Sequence, residues 1–189
     1  RVRAFFRFAV GAARKAASLP ADVVFATSTP LTIALPAVRA KRRQRVPMVF
    51  EVRDLWPELP IAMGALNNPL TKYGARWLER FAYHNAEHVV ALSPGMRDGI
   101  YKAGVSVNRV SVIPNSADLD VFDPERVNAP HFRERRPFAG KGPLIVYTGT
   151  MGRINGVGYL PRIAYEAKKQ GSSATFLVVG SGLEEPKVK

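Results

Sequence analysis

The strongest constraint on this chain is a recurring order: a short apolar run, a polar turn, a helical pattern, then another apolar run. Val23 to Ala26 is a continuous apolar segment of strand length, the pattern of a strand covered on both faces. It closes at Thr27-Ser28-Thr29-Pro30, where Thr29 can cap a helix and Pro30 suits its first turn. That helix is predicted to run to about Arg43, with a kink at Pro36. Strand Met48 to Val52 follows, then a helix from the spacing of Leu70, Tyr73, Gly74, Trp77, Leu78 and Phe81. Trp77, Leu78 and Phe81 are expected in the core, each contributing roughly 1.5 to 3 kcal/mol on burial. His88 to Leu92 is the next strand, Ser93-Pro94 opens a helix that Gly104 ends, and Arg109 to Ile113 is a further strand. This alternation predicts an α/β protein with parallel sheets and helices on both faces.

Between Asp123 and Gly142 the composition changes. Pro124, Pro130, Pro137, Gly140 and Gly142 lie among charges, which marks residues 124–142 as a linker or boundary. Residues 1–138 are read as one domain and 143–189 as the start of a second. The second begins with a βαβ unit: strand Leu144 to Tyr147, helix Val157 to Lys169, and strand Phe176 to Val179 ending in Gly180-Ser181-Gly182. The chain begins at Arg1 rather than Met and stops in a polar stretch, so it is expected to be a piece of a longer protein with both domains incomplete.

Composition bounds the function classes. The 189 residues are 47% hydrophobic and 23% charged, enough apolar content for a real core. Cysteine is absent, which excludes disulfide scaffolds and thiol chemistry. No apolar run approaches the ~20 residues of a membrane-spanning helix. The net charge is +13, from 28 Lys+Arg against 15 Asp+Glu, and it favours an anionic partner: phospholipid, nucleic acid or a phosphorylated ligand. Arg1, Arg3, Arg7, Arg14 and Lys15 form one basic cluster at the start of the chain, where an amphipathic helix is expected from Val2 to Ala17. Arg39, Lys41, Arg42, Arg43 and Arg45 form another. RNA-binding domains usually present exposed aromatics on a sheet, and the aromatics here fit helix cores or strand ends, so nucleic acid is disfavoured.

In open parallel sheets, ligands bind at the carboxyl ends of the strands. Thr27 to Thr29, Glu51 to Glu58, Ser93, Pro114 to Asp118, Gly149 to Arg153 and Gly180 to Glu185 all fall there. In EVRDLWPELP, Glu51, Arg53, Asp54 and Trp56 form a chemical set that a backbone turn alone does not require. Gly149-Thr150-Met151-Gly152-Arg153 places glycines where a strand meets a helix, so that backbone N–H groups and an arginine can approach a phosphate. The full dinucleotide fingerprint is missing there, which argues against an NAD enzyme. Asp118-Leu119-Asp120 is a pair of the kind that grips a divalent cation and a nucleotide diphosphate in one class of sugar transferase. His84 and His88 are four apart, but a helix end running into a strand between them breaks metal-ligand geometry. No Ser/His/Asp or Cys/His set stands out.

VRDLWPE, ALSPGM, VIPNSADLDVF, YTGTMGR and VVGSG, in that order, resemble glycosyltransferase family four, the retaining enzymes of the GT-B fold, and most of all those of bacterial surface-polysaccharide assembly. The resemblance implies two Rossmann-like domains, an acceptor-binding one to about Phe138 and a nucleotide-sugar-binding one from residue 143. A first strand and glycine-rich loop are then expected ahead of Arg1 and a paired-glutamate motif beyond Lys189, so that this piece alone is not a competent catalyst. Arg153 matches the arginine that binds the donor diphosphate, and Gly149 and Gly152 match the turn that admits it. Asn155-Gly156 stands where many members have a lysine before a glycine. Asp54 matches an acid that follows a histidine, and Arg53 takes the histidine's place. Asp54 and Arg53 are therefore the catalytic candidates, orienting hydroxyls. Glu51, Trp56, Asn115 and Asp118 are the substrate-binding ones, with Trp56 offering a ring face to a sugar and Asn115 and Asp118 matching the loop at the interdomain cleft.

The implied activity is transfer of a sugar from a nucleotide-sugar donor to a lipid-linked or saccharide acceptor in polysaccharide biosynthesis, with retention. No metal and no cofactor is expected, the nucleotide-sugar being a co-substrate. The implied place is the cytoplasm, peripherally on the inner face of the cytoplasmic membrane. Two other readings stay open: a metal-dependent sugar transferase built on Asp118 and Asp120, and a non-enzymatic basic domain that binds an anionic membrane surface.

Overall fold

The structure, a computed structural model, describes residues 2–28, 30–64, 66–126 and 129–188. Thr29, the expected helix cap, lies outside the described residues. The chain forms two compact units, Arg1–Ser116 and Ala117–Lys189.

The first unit runs α1 (Val2–Ala16), β1 (Val24–Thr27), α2 (Ala34–Gln44), β2 (Met48–Val52), α3 (Glu58–Ala62), α4 (Pro69–Asn85), β3 (His88–Ala91), α5 (Pro94–Lys102) and β4 (Val110–Val112). The strands form one four-stranded sheet in the order β1-β2-β3-β4, every neighbouring pair parallel. Local chemistry accounts for the helix starts. Asn68 caps α4 by accepting the Leu70 N–H at 2.8 Å, and Ser93 caps α5 by accepting the Met96 N–H at 3.3 Å; each is followed by proline at the first turn. Gly104, at φ +95°, follows α5 in the left-handed region that glycine enters without penalty. The segment expected as one helix from Pro30 begins as a 3-10 turn, Leu31–Ile33, and becomes α2 at Ala34. Pro36 is the third residue of α2, where the backbone N–H has no intrahelical acceptor to lose.

Alternation along β2 positions the core. Met48, Phe50 and Val52 are buried, while Val49 and Glu51 between them are half-buried. The inner residues pack with Ala34, Ala37 and Val38 of α2, Ala82 and Tyr83 of α4, and Ile100 of α5. Phe50 meets Tyr83 edge to face, with ring centroids 6.0 Å apart. The run at 23–26 is not covered on both faces: β1 is an edge strand, and Ala26 is buried while Phe25 is 60% exposed.

The larger correction concerns α4. Glu79, Ala82 and Tyr83 are its buried residues, and Leu78 and Phe81 lie against the core half-buried. Leu70 (79%), Tyr73 (74%) and Trp77 (55%) are exposed. This helix carries two apolar stripes. The one that includes small Ala82 allows close approach to the sheet, so the bulkier one points outward.

Cations satisfy the carbonyl end of α4, where four backbone acceptors lack helical partners. Lys41 Nζ donates to the Asn85 carbonyl at 2.7 Å, and Arg109 donates to the carbonyls of Tyr83, Ala86 and Glu87. Lys41 also pairs with Glu87 at 2.7 Å, and this hydrogen bond and charge hold the Glu87 carboxyl below its ordinary range.

Glu79 is the buried acid of this unit. Burial, then the Glu58 charge, raise its pKa from 4.5 to about 7, against the hydrogen bond donated by Tyr83. Burial, and then the Glu79 charge, push the Tyr83 phenol upward. A carboxyl raised in the folded state stabilises the fold fully below its unfolded pKa. That contribution is lost as pH rises through the folded value, here between about 4.5 and about 7. Glu79→Gln is therefore expected to flatten the fall in stability between pH 5 and pH 8 by on the order of 1 to 2 kcal/mol. Urea midpoints of both proteins at the two pH values check this, and parallel profiles would show that Glu79 does not titrate in that window.

The second unit holds α6 (Ala129–Glu134), β5 (Leu144–Thr148), α7 (Leu160–Lys169) and β6 (Thr175–Val179), with β5 and β6 parallel. The expected helix over 157–169 begins as a 3-10 turn, Val157–Tyr159, before α7. Residues of the segment read as a linker pack within this unit: Arg133 Nη1 donates to the carbonyls of Ala139, Gly140 and Gly142 at 3.2, 2.8 and 3.0 Å, and Ala139 is fully buried. The division by packing thus falls at Ser116–Ala117, ahead of 124–142. Among the described residues no helix is long and apolar enough to cross a membrane.

Candidate active site

At the carboxyl ends of β1 to β4 lies a cavity of about 390 Å³, lined by Thr27, Ser28, Arg53, Asp54, Leu92 and Asn115. Every strand of the sheet delivers a residue to it. Parallel pairing causes this convergence, because all the strands point the same way and their following loops emerge on one edge. The register aligns Thr27 with Glu51 and Val52 with Ala91.

Ser28 organises the loop that bears the catalytic candidates. Its own N–H donates to the Glu51 carbonyl at 2.8 Å, and its buried hydroxyl accepts the Arg53 N–H at 2.8 Å. Arg53 is exposed and Asp54 half-buried at the rim. Arg53, Asp54 and Asn115, singled out in the sequence, therefore come together here. Thr27, Ser28 and Leu92 complete the lining; their position directly after apolar runs was the signal for them.

Glu51 and Trp56, the other candidates of this unit, are not part of the lining. The Glu51 carboxylate accepts from the Thr27 hydroxyl at 2.5 Å, a cross-strand contact set by the register. Trp56 packs partly buried against the core because buried Pro57 draws the loop inward ahead of α3.

In the second unit the loops after β5 and β6 are laced together. The N–H of Gly149 donates to the Val179 carbonyl at 3.0 Å, that of Met151 to Ser181 at 2.9 Å, and that of Gly152 to Thr150 at 2.9 Å. A Cβ on Gly180 would lie 1.9 Å from the Gly149 carbonyl oxygen, and one on Gly182 would lie 2.5 Å from that of Met151. Glycine is required at both positions by backbone proximity. The N–H groups of Gly149 and Gly152 are thus engaged within the loops, and the feature open to an anion is Arg153. It is exposed, opens the 3-10 turn Arg153–Asn155, and its guanidinium has no hydrogen bond or ion pair among the described residues. Asn155, in the place of the expected lysine, donates to the Thr150 carbonyl instead.

Asp118 belongs to this second unit by packing. Its carboxylate accepts the N–H groups of Asp120 at 3.1 Å and Val121 at 3.2 Å, forming a side-chain-capped turn. His84 bonds the Arg80 carbonyl and His88 the Ser111 hydroxyl, each at 2.8 Å, from a helix and a strand respectively. Among the described residues no three His, Asp or Glu side chains gather as a metal-binding group.

The sequence profile of the glycosyl transferase 4-like domain matches residues 1–116, the whole of the first unit. The chain belongs to the glycosyl transferase 4-like domain family. The match ends where the packing of that unit ends, so the cavity at the strand edge lies inside the glycosyl transferase 4-like domain. No curated protein matches the chain. Among solved structures, HepE of Anabaena in complex with UDP and glucose superposes with a TM-score of 0.68 at 19% identity, covering 95% of this chain and 45% of that one. HepE in complex with UDP-glucose gives 0.59 at 15% identity, covering 95% and 53%. The lipopolysaccharide outer core galactosyltransferase WaaB in its apo form gives 0.51 at 15%, covering 97% and 43%. The glycosyl transferase 4-like chain thus shares their GT-B fold class, parallel sheets with helices, and spans about half of their length.

Proposed function

We propose that the intact protein is a glycosyltransferase that moves a sugar from a nucleotide-sugar donor. The observation that carries this reading is the 390 Å³ cavity to which all four strands of the first unit contribute, with Arg53, Asp54 and Asn115 on its lining. Family membership supports it, and so do the complexes of HepE with UDP and with UDP-glucose, which suggest a uridine nucleotide-sugar as the first donor class to try.

In this proposal Arg153 holds donor phosphate oxygens through its planar guanidinium, at the turn built by Gly149 and Gly152. Asp54 and Arg53 orient reacting hydroxyls, with Asn115 beside them. Glu51 and Trp56 shape the surroundings of these groups, and Asp118, in the second unit, contributes to substrate binding. The first unit takes the acceptor, lipid-linked or saccharide, and the second takes the donor. Retention of configuration, catalysis by positioning and charge stabilisation without a metal or cofactor, a role in polysaccharide assembly and a place at the inner membrane face extend the same reading.

The intact protein, titrated with a panel of nucleotide-sugars, is expected to bind at least one saturably and to release its nucleoside diphosphate when acceptor is supplied. Absence of binding to every member of the panel would overturn the proposal.

A further inference from the structure

The outward stripe of α4 has no part in the site just described. Leu70, Tyr73, Trp77 and Phe81 are spaced so that they line one side of the helix, opposite to buried Glu79 and Ala82. Trp77 and Phe81 stack with ring centroids 5.3 Å apart and 18° between planes, which fixes a flat apolar ledge. Phe81 continues it into a shallow cavity of about 410 Å³ on α2, lined by Leu35, Val38, Arg39, Arg42 and Arg43.

Charge says what covers this ledge. Arg76 and Arg80 border it on α4, and Arg39, Arg42 and Arg43 border it on α2, all exposed. The acids of the adjoining elements are paired: Glu58 lies 3.6 Å from Arg76, and Glu87 lies 2.7 Å from Lys41. An apolar aromatic stripe with cations on both sides repels a second copy of itself and suits a surface that is apolar within and anionic at its edge. Tryptophan and tyrosine settle at the headgroup level of a bilayer, while arginine engages the phosphates there. α1, packed along α2, also exposes Phe5 and Phe8 beside the basic Arg7, Arg14 and Lys15.

We propose that the outer face of α4, with the basic rim of α2, is a docking surface for an anionic phospholipid bilayer. This deepens the membrane element of the reading above and locates it on named residues. The helix lies in the interface plane, its aromatics among the headgroups and its cations on the lipid phosphates.

Flotation of the intact protein with phosphatidylcholine vesicles, with and without phosphatidylglycerol, tests this. Wild type is expected to float with the anionic vesicles, and the double variant Tyr73→Gln/Trp77→Gln to partition at least tenfold less while its unfolding midpoint holds. Both residues are exposed, so the fold does not depend on them. Equal flotation of wild type and variant would overturn the proposal in favour of charge acting alone. No flotation of wild type, with a dimer on size exclusion that the variant disperses, would overturn it in favour of self-association. Nucleotide-sugar binding measured on the same samples separates the two readings, because docking and donor binding use different units.

Discussion

Arg153→Ala in the intact protein is expected to weaken nucleotide-sugar binding by roughly 10- to 100-fold, equivalent to about 1.4 to 3 kcal/mol. The size follows from how the loops are built. The N–H groups of Gly149, Met151 and Gly152 are already bonded to the carbonyls of Val179, Ser181 and Thr150, and in place of a lysine that would add a second cation stands Asn155, bonded to Thr150. The guanidinium therefore carries most of the available attraction for a diphosphate. Arg153→Lys should restore part of the affinity, since a point charge remains while bidentate geometry is lost. Calorimetric titration of the three proteins checks the order, and unchanged affinity in the alanine variant would remove Arg153 from the donor site.

The largest stability effect is expected from Gly180→Ala. The new methyl would stand 1.9 Å from the Gly149 carbonyl oxygen, with the backbone at φ +155°. Backbone is on both sides of the clash, so neither a rotamer change nor a flexible side chain relieves it. The loops must separate, breaking the Gly149–Val179 and Met151–Ser181 hydrogen bonds that hold them together. A loss of about 2 to 4 kcal/mol from the second unit is expected, with weaker donor binding because the turn before Arg153 shifts. Gly171→Ala is the comparison: φ there is +77° but nothing lies within 4 Å of the new methyl, so only the backbone term of about 1 kcal/mol applies. Urea denaturation of both variants reads the difference, and equal losses would show that the close approach does not matter.

Much of the site was legible because parallel α/β architecture converts sequence position into spatial position. Thr27 ends β1, Arg53 and Asp54 follow β2, Leu92 follows β3 and Asn115 lies in the loop after β4, so the topology gathers these separate stretches of the chain at one edge. Glu51 and Trp56 belong to the same motif, but neighbours in sequence need not face one cavity. Alternation turns the Glu51 side chain to the sheet surface beside Thr27, and burial of Pro57 takes Trp56 to the core. The position of Ser28 after an apolar run places it on this edge, but the bond by which its hydroxyl positions Arg53 was not readable, because it depends on a partner that follows the neighbouring strand.

The sequence by itself determined the order of the four strands and the helices between them, the cap at Ser93 with its proline, the parallel sheet and the edge where the candidate site forms. These follow from local periodicity and backbone chemistry, which act within a few residues. Only the tertiary structure decided which apolar stripe of α4 is buried, that Glu79 goes inside with it, and that Gly180 must have no side chain. Each of those depends on how closely separate elements approach: two stripes of equal periodicity are told apart only by how their side chains fit against the sheet.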